Sequence, residues 1–434
     1  MLLGLAIAPS PAFAWGEYGH ELVNYVGAAL MNGTPMGQWF NSSEEFFRRL
    51  GESPDKDFKD GGEAPSDRDA ASRRHDISPM EHDLHFFSAD AFVDMAKYTH
   101  NGEIDAEGVA NAIRQLPLSE QFGASYKGLA PLLSANSAVV QQQRNGGLEN
   151  PNQPTIRDVS TQGTLPWRIL QLYDLGVASL SKGDVKMGMY YLGLLGHYIG
   201  DASQPFHTSM NYNPGGIHSI YEEVMLNDYA RAHQAQRGEA DVWNLGTTGR
   251  DLAQQAKAVQ AKGGPVTRQT LLSSIMELVA SGYPLQKPLM AALDDAKEGM
   301  PQGGDNGGGG RFNFDRRHQP AHGGNHHQRL PDDVIEKFMN TAIQLPDGQR
   351  QTVLQNAQMR LAESGALFAQ VLQSAYQDAK KTNPGLDGQL ASPANRLTIG
   401  DDFARFAIGN YPEWHPLTQV AGHCGIAFDQ VAQH

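Results

Sequence analysis

His197 and Asp201 lie four residues apart in Tyr191-Leu192-Gly193-Leu194-Leu195-Gly196-His197-Tyr198-Ile199-Gly200-Asp201, and Gln204-Pro205-Phe206-His207 follows at once. His218 and Glu222 repeat the spacing shortly afterwards. Five side chains able to bind a metal thus fall within 26 residues, His207 standing in a proline-broken turn between two i,i+4 pairs. Residues four apart on a helix project from one face, so each pair can grip a single ion. Imidazole and carboxylate without thiolate suit zinc in hydrolytic chemistry. Each piece also has a plain explanation. A histidine on an apolar helix fits a buried ion pair, and His207 fits an ordinary loop residue. His218 with Glu222 fits an exposed helix pair contributing about 0.2–0.5 kcal/mol. Three such coincidences in one short segment favour a metal site.

The elements that must position these residues read as helical almost throughout, with no Asn-Gly or Asp-Gly hairpin between alternating strands. Residues 18–31 form an amphipathic helix carrying His20, and further helices are expected at 106–116 and 165–180. Lys182-Gly183-Asp184 stops the last of these, and Asp184 is the expected N-cap of the helix that runs to about Asp201. That helix is apolar nearly all round, which predicts burial. Helical patterns return at 217–233, 249–260, 268–296 and 350–376, the last with Leu354, Ala357, Leu361, Phe368 and Leu372 on one stripe. The expected fold class is all-α. Residues 52–80 are charged and pattern-poor, residues 140–163 are Gln-, Asn- and Pro-rich, and 299–328 is a low-complexity run with His318, His322, His326 and His327. All three read as surface insertions or disordered loops.

Composition bounds the partners. The net charge of −14 over 434 residues disfavours a stable complex with long nucleic acid, yet permits a phosphate group held through metal ions. The single cysteine, Cys424, cannot form an intramolecular disulfide and reads as a small hydrophobe. Residues 1–14 end in Ala12-Phe13-Ala14 after a short apolar stretch and read as the end of a secretory signal without a basic n-region. Cleavage there makes Trp15 the mature N-terminus of a soluble protein, secreted or periplasmic. A buried N-terminal segment is the alternative.

The run from Leu165-Pro166-Trp167 to Val224 resembles the central segment of the zinc-dependent phospholipase C and single-strand-specific nuclease superfamily. Its pattern of His-x-x-Gly-Asp-x-x-Gln-Pro-x-His, then His-x-x-x-Glu or His-x-x-x-Asp, is met by His197, Asp201, His207, His218 and Glu222. Trp15-Gly16-Glu17-Tyr18-Gly19-His20 resembles the mature start of such proteins, an exposed Trp whose α-amino nitrogen and carbonyl oxygen bind zinc with a nearby His. Leu84-His85-Phe86-Phe87-Ser88-Ala89-Asp90 fits a further ligand at His85, with His75 and His82 as rivals. For the remaining Asp the resemblance favours Asp55, in Ser53-Pro54-Asp55-Lys56-Asp57-Phe58-Lys59, over Asp67, Asp69 and Asp76.

The resemblance implies a three-zinc phosphodiesterase. One ion would take Asp55, His85, His197 and Asp201; a second His207, His218 and Glu222; a third Trp15, His20 and the other oxygen of Asp201. Asp55 would also orient or deprotonate the attacking water. The implied domain covers residues 15–378, with 299–328 as an insertion, and leaves 379–434 as an extension without an assigned role. Glu222, the short His207–His218 spacing and the single cysteine resemble the phospholipase branch, so a monomer acting on a phospholipid or other phosphodiester at transient contact with a membrane surface is expected. The Trp15–His20 spacing resembles the nuclease branch. Lys56 and His82 stand where choline-selective phospholipases carry aromatics. A non-catalytic zinc-binding protein that also uses the His318–His327 tract is a further alternative.

Overall fold

Asp184 opens the central helix, Val185–Ser203, by accepting a hydrogen bond from the Met187 N–H at 3.2 Å, as expected of an N-cap. Gly183, at φ +83°, ends the preceding helix, Leu165–Ser181, because a left-handed residue there carries no Cβ penalty. The two helices form a tight hairpin. A Cβ on Gly176 would stand 2.8 Å from Leu192, and one on Gly188 would stand 2.6 Å from Leu180. Small residues let the axes approach closely and bury the central helix on all sides.

This computed structural model describes residues 15–59, 68–143, 148, 150–228, 245–298, 330–400 and 403–414. The leader at 1–14, the low-complexity run at 299–328, Asp67 and Cys424 lie outside them. The regular secondary structure of the described residues is helical apart from two short antiparallel hairpins, Thr99–His100 with Glu103–Ile104 and Ala342–Gln344 with Arg350–Thr352. Around the central helix pack Gly16–Leu30, Leu165–Ser181 and the 30-residue Val353–Thr382, which opens with a capping box on Thr352 and Gln355. Buried Asn24 ties two neighbours together, its Nδ2 donating to the carbonyls of Phe47 (2.8 Å) and Gly193 (3.0 Å). Phe47 stacks on Phe368 of the long helix. No helix among the described residues is long and apolar enough to cross a membrane.

Three expectations are corrected. Residues 52–80 do not form a surface loop throughout: Pro54–Phe58 is a π-helical turn with Asp55 and Phe58 buried, and Arg68–Glu81 is helical. Their charge hid the order because those charges are paired, as Arg49 with Asp57 at 3.1 Å and Lys59 with Asp55 at 2.6 Å. In 140–163, Ile156–Ser160 is a capped helix that buries Val159. The pattern at 268–296 is two helices, Leu271–Gly282 and Gln286–Lys297, broken by a 3-10 turn at Pro284, where proline removes a backbone donor. The helical start at 217 soon widens into a π-helix, Ile220–Asp228.

The segment after residue 379 continues the same core. The long helix runs on to Thr382, and Leu386–Ala391 and Phe403–Gly409 are helices with buried Leu386, Leu390, Ala407 and Ile408. Phe403 and Phe406 pack edge-on against Phe46, and Trp39 Nε1 donates to the Asn395 carbonyl at 2.7 Å.

Candidate metal centre

His197 and Asp201 leave the central helix one turn apart, both fully buried. Their Nε2 and Oδ2 atoms are 3.2 Å apart. The Nδ1–H of His197 donates to the Gly51 carbonyl at 2.7 Å, which fixes the tautomer and leaves the Nε2 lone pair available to a metal. His85, just past the turn His82–Leu84, brings Nδ1 to 2.9 Å from His197 Nε2 and 3.0 Å from Asp201 Oδ2. Asp55 comes from the π-helical turn, with Oδ1 3.6 Å from His85 Nδ1 and Oδ2 3.9 Å from His197 Nε2. His20, on the first helix, stacks on the His197 ring at 3.7 Å and places Nε2 3.5 Å from Asp201 Oδ1. Gly200 makes room for that ring, since a Cβ there would stand 2.9 Å from His20 Nδ1.

The second cluster adjoins the first. His207 sits in the 3-10 turn Pro205–Thr208, its Nδ1–H donating to the His85 carbonyl at 2.7 Å. Its Nε2 is 3.7 Å from Glu222 Oε2, which is 3.2 Å from His218 Nε2. Gln204 Nε2 donates to the same Glu222 oxygen at 2.7 Å, giving the Gln-Pro dipeptide a job of orienting a donor.

Three sets of donor atoms thus converge: His20, His197 and Asp201; Asp55, His85 and His197; and His207, His218 and Glu222. Asp69, Asp76 and His75 are exposed on Arg68–Glu81, and His82 is half-exposed, so none of these rivals joins a set. Trp15 differs from the expectation of an exposed residue. Its indole is fully buried, Nε1 donating to the Gly200 carbonyl (2.8 Å) and Ser203 Oγ (3.1 Å). This anchor holds the backbone of residue 15, at φ +50°, against the helix that carries Asp201. Its carbonyl already accepts from the Gly19 N–H at 3.0 Å.

The donor set fits a cation. Both ring nitrogens of His20 and of His218, Asp55 Oδ2 and Asp201 Oδ1 are buried without a hydrogen-bond partner in the protein. Leaving such atoms unsatisfied costs about 1–3 kcal/mol each, and coordination removes that cost. The electrostatics agree for three of the imidazoles, whereas at His85 burial and Lys59 are outweighed by Asp201 and Asp55, which raise it. Burial holds His20, His207 and His218 below the usual histidine range, helped by neighbouring imidazoles, and neutral imidazole is the ligating form. Burial would raise Asp201, but the imidazoles of His197 and His85 outweigh it and hold the carboxyl well below its ordinary value. Burial would likewise raise Asp55, yet Lys59 and the histidines hold it down to about 2. A nitrogen and oxygen set without sulfur suits zinc among the common ions.

Sequence reasoning missed the residues behind the ligands. Glu81 is fully buried, with Oε1 3.2 Å from His85 Nε2 and Oε2 3.6 Å from Arg168 Nη2. Burial would raise its carboxyl, but Arg168 and His85 outweigh this and hold it down to about 2. Arg360, also buried, donates to the carbonyl of Ser203 (2.8 Å) at the end of the central helix and to that of Leu278 (2.7 Å) in Leu271–Gly282.

No protein-family model matches the chain, and no solved structure matches it. Among curated proteins, two described as phospholipase C from Bacillus cereus are each 43% identical over 57 residues, which is 12% of this chain and 20% of theirs. One described as a probable serine protease from Bradyrhizobium tropiciagri is 33% identical over 97 residues, 17% of this chain and 12% of that protein. The chain therefore matches at most a fifth of the length of these relatives, and its likeness to phospholipase C is distant and partial.

Proposed function

We propose that this chain is a zinc-dependent phosphodiester hydrolase, and specifically a phospholipase C that cleaves a glycerophospholipid to diacylglycerol and a phosphorylated head group. The observation that carries the reading is the convergence of three buried His/Asp/Glu donor sets, two of them sharing His197. The short likeness to phospholipase C supports the substrate class. Three zinc ions are proposed, held as the resemblance implies, with Trp15 contributing through its backbone.

When bound, zinc acidifies water and neutralises charge on a phosphoryl group in flight. The residues of the chain do the rest. Asp201 offers one oxygen towards His20 and the other towards His85 and His197, so a single carboxylate can align neighbouring ions. Asp55 acts on the attacking water as base or orienting group, while Lys59 fixes its Oδ1 at 2.6 Å. Water oxygen attacks phosphorus, the bond from phosphorus to the diacylglycerol oxygen breaks, and that oxygen takes up a proton.

Turnover of bis-p-nitrophenyl phosphate that disappears with chelator and returns with zinc is the expected result. A purified protein that carries zinc and hydrolyses nothing would end the enzymatic reading in favour of a zinc-binding protein. The spacing of Trp15 and His20 favours a second reading, a nuclease or nucleotidase of the same superfamily. Parallel assays on phosphatidylcholine, phosphatidylethanolamine and single-stranded DNA separate the two. Export is part of the proposal, with a monomer released from its leader before Trp15. N-terminal sequencing of the secreted protein should then read Trp-Gly-Glu-Tyr, because a free amine can ligate where an amide nitrogen cannot.

A further inference from the structure

The segment beyond residue 379 reaches the metal centre from behind. Tyr411 donates its hydroxyl to Glu81 Oε2 at 2.6 Å, and the other oxygen of Glu81 faces His85 Nε2 at 3.2 Å. Nδ1 of that imidazole points into the donor cluster, 3.0 Å from Asp201 and 2.9 Å from His197. One continuous chain of polar contacts thus runs from the C-terminal segment to a ligand atom. Tyr198 donates to Glu81 as well, from the turn of the central helix that carries His197.

The segment is held in this place by several independent contacts. The guanidinium of Arg168, fully buried, lies 5.2 Å from the ring centroids of both Tyr198 and Tyr411. Its Nη1 donates to the Pro412 carbonyl, and Gln171 Nε2 donates to the Glu413 carbonyl at 2.7 Å. Phe58, three residues after Asp55, meets the Tyr411 ring edge-on at 4.9 Å. Tyr190 of the central helix donates to the Ala407 carbonyl at 2.7 Å. Tyr411 therefore touches Phe58, three residues along from Asp55, and the carboxylate that faces His85.

We infer that Tyr411 is a positioning residue of the metal centre, and that the C-terminal segment is a working part of it. The inference rests on reading the cluster as a metal site. A carboxylate facing the far nitrogen of a ligating histidine, as Glu81 Oε1 faces His85 Nε2 at 3.2 Å, biases its tautomer and ring orientation and raises its basicity. That carboxylate must itself be held, because rotation of Glu81 would aim the His85 lone pair away from the cluster. Tyr411 and Tyr198 hold one oxygen each. Removing the Tyr411 hydroxyl leaves Oε2 with only the longer Arg168 contact at 3.6 Å, without disturbing the ring packed on Phe58.

Zinc affinity of full-length Tyr411→Phe, measured by chelator competition, should fall about tenfold to a hundredfold for the ion most dependent on His85. Circular dichroism of the apo-protein should stay near wild type. Cobalt(II) put in place of zinc should show altered d–d bands in the variant. Zinc affinity within twofold of wild type and an unchanged cobalt spectrum would overturn the inference. Glu81→Gln gives a second reading with Tyr411 intact. Its loss should not deepen when Tyr411→Phe is added, since both act through His85, and additive losses would count against the relay. The titration needs no turnover. A wild-type protein that takes up zinc but hydrolyses nothing ends the enzymatic reading, and the phenylalanine variant still decides for or against Tyr411.

Discussion

Oδ1 of Asp201 stands 3.5 Å from Nε2 of His20, and neither atom has a hydrogen-bond partner in the protein. The other oxygen of Asp201 faces His85 and His197. One side chain therefore serves two neighbouring sets of donors. Asp201→Asn keeps the shape and removes the charge, so it should loosen two ions together. Zinc content by mass spectrometry should fall by more than one ion per chain, with phosphodiesterase activity down on the order of a hundredfold or more. An Asn variant with full zinc and full activity would refute the bridging role.

Gly200 tests the cradle around His20. On helix propensity alone Gly200→Ala should stabilise the central helix by about 1 kcal/mol. Here the new Cβ would stand 2.9 Å from the His20 ring, which forces the imidazole off the cluster. We expect selective loss of the zinc that uses His20 while the His207–His218–Glu222 site stays filled. Equal retention of all zinc would show that the ring can yield without cost.

Glu52 follows Gly51, whose carbonyl orients His197. Burial, with Glu21 close by, pushes its carboxyl up from 4.5 to about 8 despite Arg49 and Lys56. Between those values the folded protein holds a proton that the unfolded chain has lost, so stability falls as pH rises from about 4.5 to about 8. Glu52→Gln should remove that slope. Urea unfolding should show the variant gaining on wild type by on the order of 3 kcal/mol between pH 5 and pH 8.5. Parallel pH profiles for the two proteins would contradict the assignment.

Arg360 closes the C-terminal end of the central helix through Ser203, and it also binds Leu278 and Ser281 Oγ at 2.8 Å. Arg360→Met fills similar space but leaves buried carbonyls without donors. A loss of roughly 2–4 kcal/mol in unfolding free energy is expected, measurable on apo-protein by denaturant titration. A change below 0.5 kcal/mol, about the size of an ordinary surface substitution, would mean that water replaces the guanidinium.

The part of the site visible in the sequence is the part built on local geometry. His197 with Asp201, and His218 with Glu222, announce themselves because i,i+4 spacing is a property of the chain alone. The Asp184 cap and the proline turn before His207 are legible for the same reason. Asp55 needed the resemblance. Its neighbours carry no helical period, and what makes it a buried donor is the π-helical turn together with Lys59 and His197. Arg168, Arg360 and Tyr411 were invisible because each is defined by partners far away in sequence, whereas Glu81 stands i,i+4 from His85 and was overlooked just past a charged segment read as a loop. The order within residues 52–80 was missed likewise, since charges that pair across helices read as a solvated loop when taken one at a time.

The donors of the centre come from the first helix, the π-helical turn at 54–58, the segment ending at His85, the central helix, the turn at His207, the helical turn Ile217–Ser219 with His218 and the π-helix at Glu222. His207, His218 and Glu222 lie within one short stretch, whereas the other two donor sets draw on separate segments of the chain, so on the proposed reading those ions bind only after the helices have closed. Once bound, the ion links segments that would have to separate before the protein could unfold. Departure of metal then gates unfolding, and survival of the loaded protein in denaturant becomes a matter of time rather than of equilibrium. Its lifetime should shorten as chelator is added at constant denaturant, as expected of a fold fastened last at its centre.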